Sequence, residues 1–342
     1  MSREVVNSEH SDPANGNGEH HPLLELFRPT VATPPIERLC DAVKSAIDLS
    51  LRGIQVYGFA RIGKSEAINY ISDRNDWIFP RKAAMCAIDA QERRKQSDSS
   101  CFQWLLDTLG VKIPARSTPD QLCNLVMGRA IELSTNADTR LMILFIDEAQ
   151  RLLPSDYESL VTLDNRLTRE RFYLLHVFMN QRDLTGFSNE APTSHEHPPH
   201  VAGRFMVLRH EFTGLKDADE AAYVLQRYDK DSDHPKGSGI SFTAHFAGSA
   251  FREHDFRLAQ YATRLWELAS NERAQARLHD NWTWPMKAFE AMVVYLLTTT
   301  IPREGPGFER LTDNQLLDAI RISGLVELEK SRKTYRAADL RV

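Results

Sequence analysis

The chain has 342 residues, 42% of them hydrophobic, and a formal net charge of −5 at neutral pH. This length admits one large domain or two ordinary ones, the charge gives no global pull towards nucleic acid, and no apolar run approaches the length of a membrane span. The four cysteines, Cys40, Cys86, Cys101 and Cys123, form no C-x-x-C pair, which argues against a zinc or disulfide framework and suits a reducing cytoplasm.

Residues 1–22 are polar, without the apolar core of a signal peptide, and read as a disordered tail whose His10, His20 and His21 are solvated. Residues 23–35 form an extended lead-in. Ile36, Leu39, Val43, Ile47 and Leu51 then follow helical spacing. Residues 54–57 read as a short buried strand, and residues 66–71 as the first turns of a helix. Between them stands Gly58-Phe59-Ala60-Arg61-Ile62-Gly63-Lys64-Ser65, which fits G-x-x-x-x-G-K-[ST] at every fixed position. Strand, glycine loop and helix start are the context in which backbone N–H groups surround phosphate oxygens. Lys64 then reaches the outer phosphates of ATP, and the Ser65 hydroxyl contacts Mg²⁺.

An apolar strand is expected at 83–88, followed by the basic run Arg93-Arg94-Lys95 at a loop. Phe102, Leu105, Leu106 and Leu109 mark one helix, and residues 119–135 another. Six apolar residues from Leu141 to Ile146 predict a strand buried on both faces, ending in Asp147-Glu148. Ligands bind beyond the C-terminal ends of such strands. Asp147 suits Mg²⁺ ligation, and Glu148 is placed to orient or deprotonate an attacking water. Another helix begins near Ser155. A strand over 172–179 ends in Asn180-Gln181, of which Asn180 is the first choice, and Gln181 the second, to sense the γ-phosphate. Residues 186–200, with His195, His197 and His200, read as a mobile loop, and residues 206–212 as the last strand.

From 215 onwards the pattern is helical. Ala221, Val224, Leu225 and Tyr228 share one face; helices are expected over 256–272 and 284–299, and Thr312 with Gln315 forms a capping box. Trp282, Trp284 and Phe289 read as core. The residues after 328 form a basic tail.

The order of these features resembles an AAA+ ATPase: phosphate loop, DEAQ box, polar strand end, Arg204-Phe205 before the last strand, then helices. The G-x-x-R-x-G-K-S loop and the I-D-E-A-Q-R-L box look more specifically like the TnsC/TniB transposition regulators, relatives of MuB and IstB. The resemblance covers roughly residues 36–272. It implies an α/β P-loop sandwich with a parallel sheet over 23–214, a helical lid over 215–272, and a C-terminal helical extension and basic tail over 273–342. It also implies ATP and Mg²⁺ as cofactors, Asn180 as sensor, Arg204 as an arginine finger acting on a neighbouring subunit, and Arg257 as a second sensor. Arg93, Arg94 and Lys95 would contact duplex DNA without sequence preference. Expected partners are DNA, further copies of the chain in a ring or filament, a transposase and a target-site adaptor. Three rival readings are an initiator or helicase-loader ATPase, a small-molecule kinase, and a nucleotide-gated signalling or defence module.

Overall fold

The structure is a computed structural model and describes residues 20–93, 97–181, 197–279 and 282–331. In chain order the α/β part contains α1 (Pro34–Asp48), β1 (Gly53–Gly58), α2 (Lys64–Ser72), β2 (Ala84–Asp89), α3 (Asp98–Thr108), α4 (Pro119–Asn136) and β3 (Leu141–Asp147). It continues with α5 (Pro154–Arg169), β4 (Tyr173–Gln181), α6 (Pro199–Phe205) and β5 (Leu208–Glu211). The strands form one parallel sheet in the order β2-β3-β4-β1-β5. This is an α/β sandwich built on a parallel sheet, as the resemblance implies.

The two-residue period of the strands sorts the sheet into two faces. In β3, Leu141, Ile143 and Phe145 pack with α1 and α2, while Met142, Leu144 and Ile146 pack with α3, α4 and α5. In β4, Leu175, Val177 and Met179 share the first face, and Leu174 and Phe178 the second. The run from 141 to 146 is apolar throughout because both faces are covered.

The helical part contains α7 (Ala218–Gln226), α8 (Phe242–Ala247), α9 (Ser249–Glu253), α10 (Ala262–Gln275), α11 (Met286–Tyr295), α12 (Ile301–Glu304) and α13 (Asp313–Ile322). A single apolar core runs from Leu215 to Leu325. The expected break between lid and extension at 272/273 therefore does not divide it. Arg273 is buried, pairs with Glu329 at 2.7 Å and lies over Trp282, tying α10 to the segment after α13. The expected helix over 256–272 starts only at Ala262, after a 3₁₀ turn over Leu258–Tyr261, and a helix over Pro199–Phe205 falls where the end of a loop and the lead-in to the last strand were expected.

Among the described residues, the chain passes between the two parts twice. Leu23 is buried in the helical core, while Ile36 belongs to the core under β1. The second passage is the connector after β5. There Leu215 forms an antiparallel bridge with Trp284, and a Cβ on Gly214 would come within 2.1 Å of the Trp284 carbonyl oxygen, so only glycine fits. No described helix is long and apolar enough to cross a membrane.

Candidate functional site

The phosphate-loop sequence forms the turn from β1 into α2. Gly58 closes against the connector, where a Cβ would come 2.7 Å from the Phe212 carbonyl oxygen. Gly63 caps α2 with φ 111°, a conformation that a side chain would strain. Lys64 is mostly buried, and its Nζ donates to the carbonyls of Gly58 at 2.8 Å and Phe59 at 2.9 Å. These carbonyls hold the ammonium over the loop.

The Ser65 hydroxyl donates to Oδ2 of Asp147 at the end of β3. Oδ1 of Asp147 accepts from the Glu148 backbone N–H at 2.9 Å. Glu148 has φ 52°, rare for a residue with a side chain and typical of functional turns. This turn brings it to the cleft. There its carboxylate accepts from Gln150 Nε2 at 2.7 Å and stands 3.6 Å from Arg151. Gln150 in turn accepts from the Gln181 N–H at 2.9 Å. One glutamine thus ties the carboxylate to the end of β4, a role the sequence reading did not assign.

These groups open onto a cleft of about 820 Å³ between the two parts of the molecule, within the usual range for small-ligand sites. Its floor includes Arg61, Gly63, Lys64 and Ser65, with Glu148 and Gln181 at one side. The far wall comes from α11, with Met286, Lys287 and Glu290, and from Tyr228. The segment from Leu26 to Val31 borders it, and Thr30 donates to Glu66 on α2 at 3.1 Å. Sequence reading missed this strap and α11, because their position depends on the packing of the helical part and no local motif marks them.

The pleat separates the two sensor candidates, Asn180 and Gln181. Asn180 has the parity of Leu174 and Phe178, so it turns away from α1 and α2. It is 1% exposed and donates to Gln55 Oε1 at 3.0 Å and to the Phe178 carbonyl at 3.1 Å. Gln181, paired in register with Gly58, has the opposite parity and lines the cleft.

Arg257, the expected second sensor, is held within its own turn. Its guanidinium donates to the carbonyls of Phe251 and Phe256, pairs with Asp255 at 3.1 Å and lies 3.6 Å from the centre of the Phe251 ring. Asp229, buried beneath, accepts from Leu258 and Ala259 and fixes this turn. The cleft-lining cation of the helical part is Lys287.

Arg93 is not a surface cation. It pairs with Asp156, which is 1% exposed, donates to the Ser100 carbonyl at 3.1 Å and lies over the Trp104 ring. Removing it from a buried carboxylate would be costly. Arg94 and Lys95 lie outside the described residues, as do His10 and His195.

Arg204, at the end of α6, is far in the fold from its own phosphate loop. It donates to Asp164 at 2.6 Å and to Asn165 at 2.9 Å at the opposite edge of the sheet. His200 pairs with Glu158 at 2.8 Å, and His197 packs edge-on against Tyr157.

His21 does not behave as part of a solvated tail. It is 4% exposed, with ring centres of His245, Phe246, Phe242 and His234 at 4.5 to 4.8 Å. Burial, then His245 and His234, lower its pKa to about 4.

No protein-family model matches the sequence, and no curated protein matches it. Among solved structures the chain is similar to Drosophila ORC bound to DNA, with 12% identity, 83% of this chain and 67% of that chain covered, and a TM-score of 0.45. It is similar to the Aeropyrum pernix ORC2 protein in its ADPNP-ADP complexes, with 13% identity, 92% and 87% covered, and a TM-score of 0.40. A third likeness is to the HORMA:CdnC:Trip13 complex of E. coli MS115-1, with 13% identity, 85% and 92% covered, and a TM-score of 0.42. At this distance the likenesses say nothing of chemistry.

Proposed function

We propose that the chain binds and hydrolyses ATP in the cleft and uses the nucleotide as an assembly switch in the control of DNA transposition. One observation carries the reading: Ser65, which lines one cleft with Lys64 and Glu148, donates its hydroxyl to the Asp147 carboxylate just behind it. A hydroxyl and a carboxylate side by side are the donor set that a Mg²⁺ ion holding a triphosphate requires, with water completing its shell. When bound, the ion neutralises charge on the phosphates. Lys64 exchanges its two carbonyl partners for phosphate oxygens, and the turn at Gly63 opens the start of α2 to them. Glu148, held by Gln150, orients the attacking water, and Gln181 stands at the same side of the cleft. Arg204 acts on the site of a neighbouring copy, which makes turnover depend on assembly.

The transposition reading draws on the phosphate-loop and DEAQ boxes. Duplex DNA as the assembly platform, and a transposase and adaptor as partners, belong to the same proposal. An initiator-type ATPase acting on DNA is the second reading, since the same cleft and the same dependence on nucleotide would serve it. The test is electron microscopy and ATPase rate of the purified protein with a non-hydrolysable ATP analogue and with ATP, each with and without duplex DNA. Rings or filaments that need both nucleotide and DNA are expected. Assembly that needs nucleotide and ignores DNA would replace this reading with a signalling or defence switch.

A further inference from the structure

At the N-terminal edge of the sheet a hollow of about 530 Å³ is lined by Arg52, Asp164, Asn165, His200 and Arg204. Asp164 projects from α5 and is 1% exposed. Its Oδ2 accepts from Arg204 at 2.6 Å. Its Oδ1 stands 3.6 Å from Arg52 Nη1, and neither of these two buried atoms has a hydrogen-bond partner among the described residues. The Arg52 guanidinium lies 4.2 Å over the Tyr173 ring, which keeps it beside the carboxylate. His176, fully buried nearby, adds no competing charge, since burial lowers its pKa. Two permanent cations thus face one buried anion, and only one of them has closed on it.

We infer that Asp164 is the resting dock of Arg204 and that Arg52 is its replacement. When Arg204 turns out towards the triphosphate held by a second copy of this chain, Arg52 closes the gap and takes over the carboxylate. The inference rests on the reading of Arg204 as a residue that acts in trans. A buried carboxylate cannot be left without a partner at low cost, so a dock with one arginine would oppose release. A dock with a second arginine already in place exchanges one pairing for another. No proton moves, because a guanidinium stays charged. The dock and the neighbour's phosphates compete for Arg204, and this competition sets the protein concentration at which turnover begins. Asp164 and Arg52 are positioning residues for that step.

The experiment is ATPase rate against protein concentration for the full chain and for Arg204→Ala, Asp164→Asn, Arg52→Ala and Arg52→Lys. Arg204→Ala is expected to lose about 100-fold or more at every concentration. Asp164→Asn weakens the dock, because a neutral acceptor holds a guanidinium less well, and the half-maximal concentration falls about tenfold. Arg52→Ala removes the replacement, and the half-maximal concentration rises about tenfold by the same reasoning. Arg52→Lys restores a cation and brings it back towards wild type. A merely structural role would move Asp164→Asn and Arg52→Ala in the same direction. That outcome, or no movement in either, overturns the inference while loss in Arg204→Ala leaves the trans reading standing. Full activity in Arg204→Ala overturns the trans reading and the inference with it. If Asp164→Asn does not fold, the arginine pair decides: a raised threshold in Arg52→Ala restored by Arg52→Lys supports the inference, and an unmoved threshold in Arg52→Ala overturns it.

Discussion

At the C-terminal edge of the sheet, the cation of the site is held lightly. Lys64 is held by two carbonyls of its own loop, Ser65 by Asp147, and Glu148 by a glutamine two residues on. At the N-terminal edge, Arg204 is held by a carboxylate buried in α5, 40 positions away. Neutral carbonyls are weak competitors for an ammonium once a phosphate arrives, whereas an ionised carboxylate is a strong one for a guanidinium. The same sheet therefore presents one edge that a small ligand can enter unaided and one edge whose cation needs a rival anion to leave.

The sharpest way to break this contrast is Lys64→Ala. We expect nucleotide affinity to fall by about 100-fold or more, since a charge-assisted contact in a partly closed site is lost; calorimetric titration with ATP would show it, and retained affinity would move the ligand away from this edge. Glu148→Gln should keep affinity and lower turnover by about 10² to 10⁴-fold, so that single-turnover and binding measurements part company. Equal loss of both would mean that Glu148 binds and does not orient water.

Asn180 and Gln181 give a finer test, because they are neighbours on opposite faces. Asn180→Ala should lower stability by about 1–3 kcal/mol through lost buried hydrogen bonds, visible in denaturant unfolding. Gln181→Ala should leave unfolding unchanged and lower turnover about tenfold, the scale of one modest contact. Reversed effects would restore Asn180 as the sensor.

The smallest expected effect belongs to neither edge. His21 in its folded site binds a proton only near pH 4, whereas the unfolded chain binds one near 6.5. Between those values the unfolded state holds more protons, so the His21 contribution is intact above pH 6.5 and is lost as pH falls towards 4. His245, also lowered by burial, adds in the same direction, and His234 is the third ring. Melting curves from pH 8 to pH 5 should slope downwards, and His21→Phe should flatten them; an unchanged slope would assign the acid sensitivity elsewhere.

The parts of the site legible in the sequence are those whose chemistry is local. The phosphate loop carries its glycines, lysine and serine in one run, and the apolar strand ending in Asp147-Glu148 announces its own burial. Asn180 against Gln181 was decided by a single step of the pleat, which boundary reading from sequence does not resolve. Arg93 looked exposed because its partner, Asp156, stands at the start of α5, after the strand that pairs with β2. Arg257 folds back on its own turn while Lys287 lines the cleft, because the helical part packs as one core across the expected break at 272. The strap and Gly214 owe their roles to contacts with Tyr228, Glu66 and Trp284 that no local spacing encodes.

The double passage of the chain has a mechanical consequence. A body joined to another by one flexible thread can turn about three axes; joined by two, it keeps only the axis running through both attachment points. Here the attachments are the strap before α1 and the connector at Phe212–Gly214, and both border the cleft. Arg38 on α1 reinforces them by pairing with Glu220 and reaching Thr213 at 3.3 Å. Rotation of the helical part is expected to follow an opening and shutting about these two attachments, and a distance probe between Lys287 and Lys64 would test it.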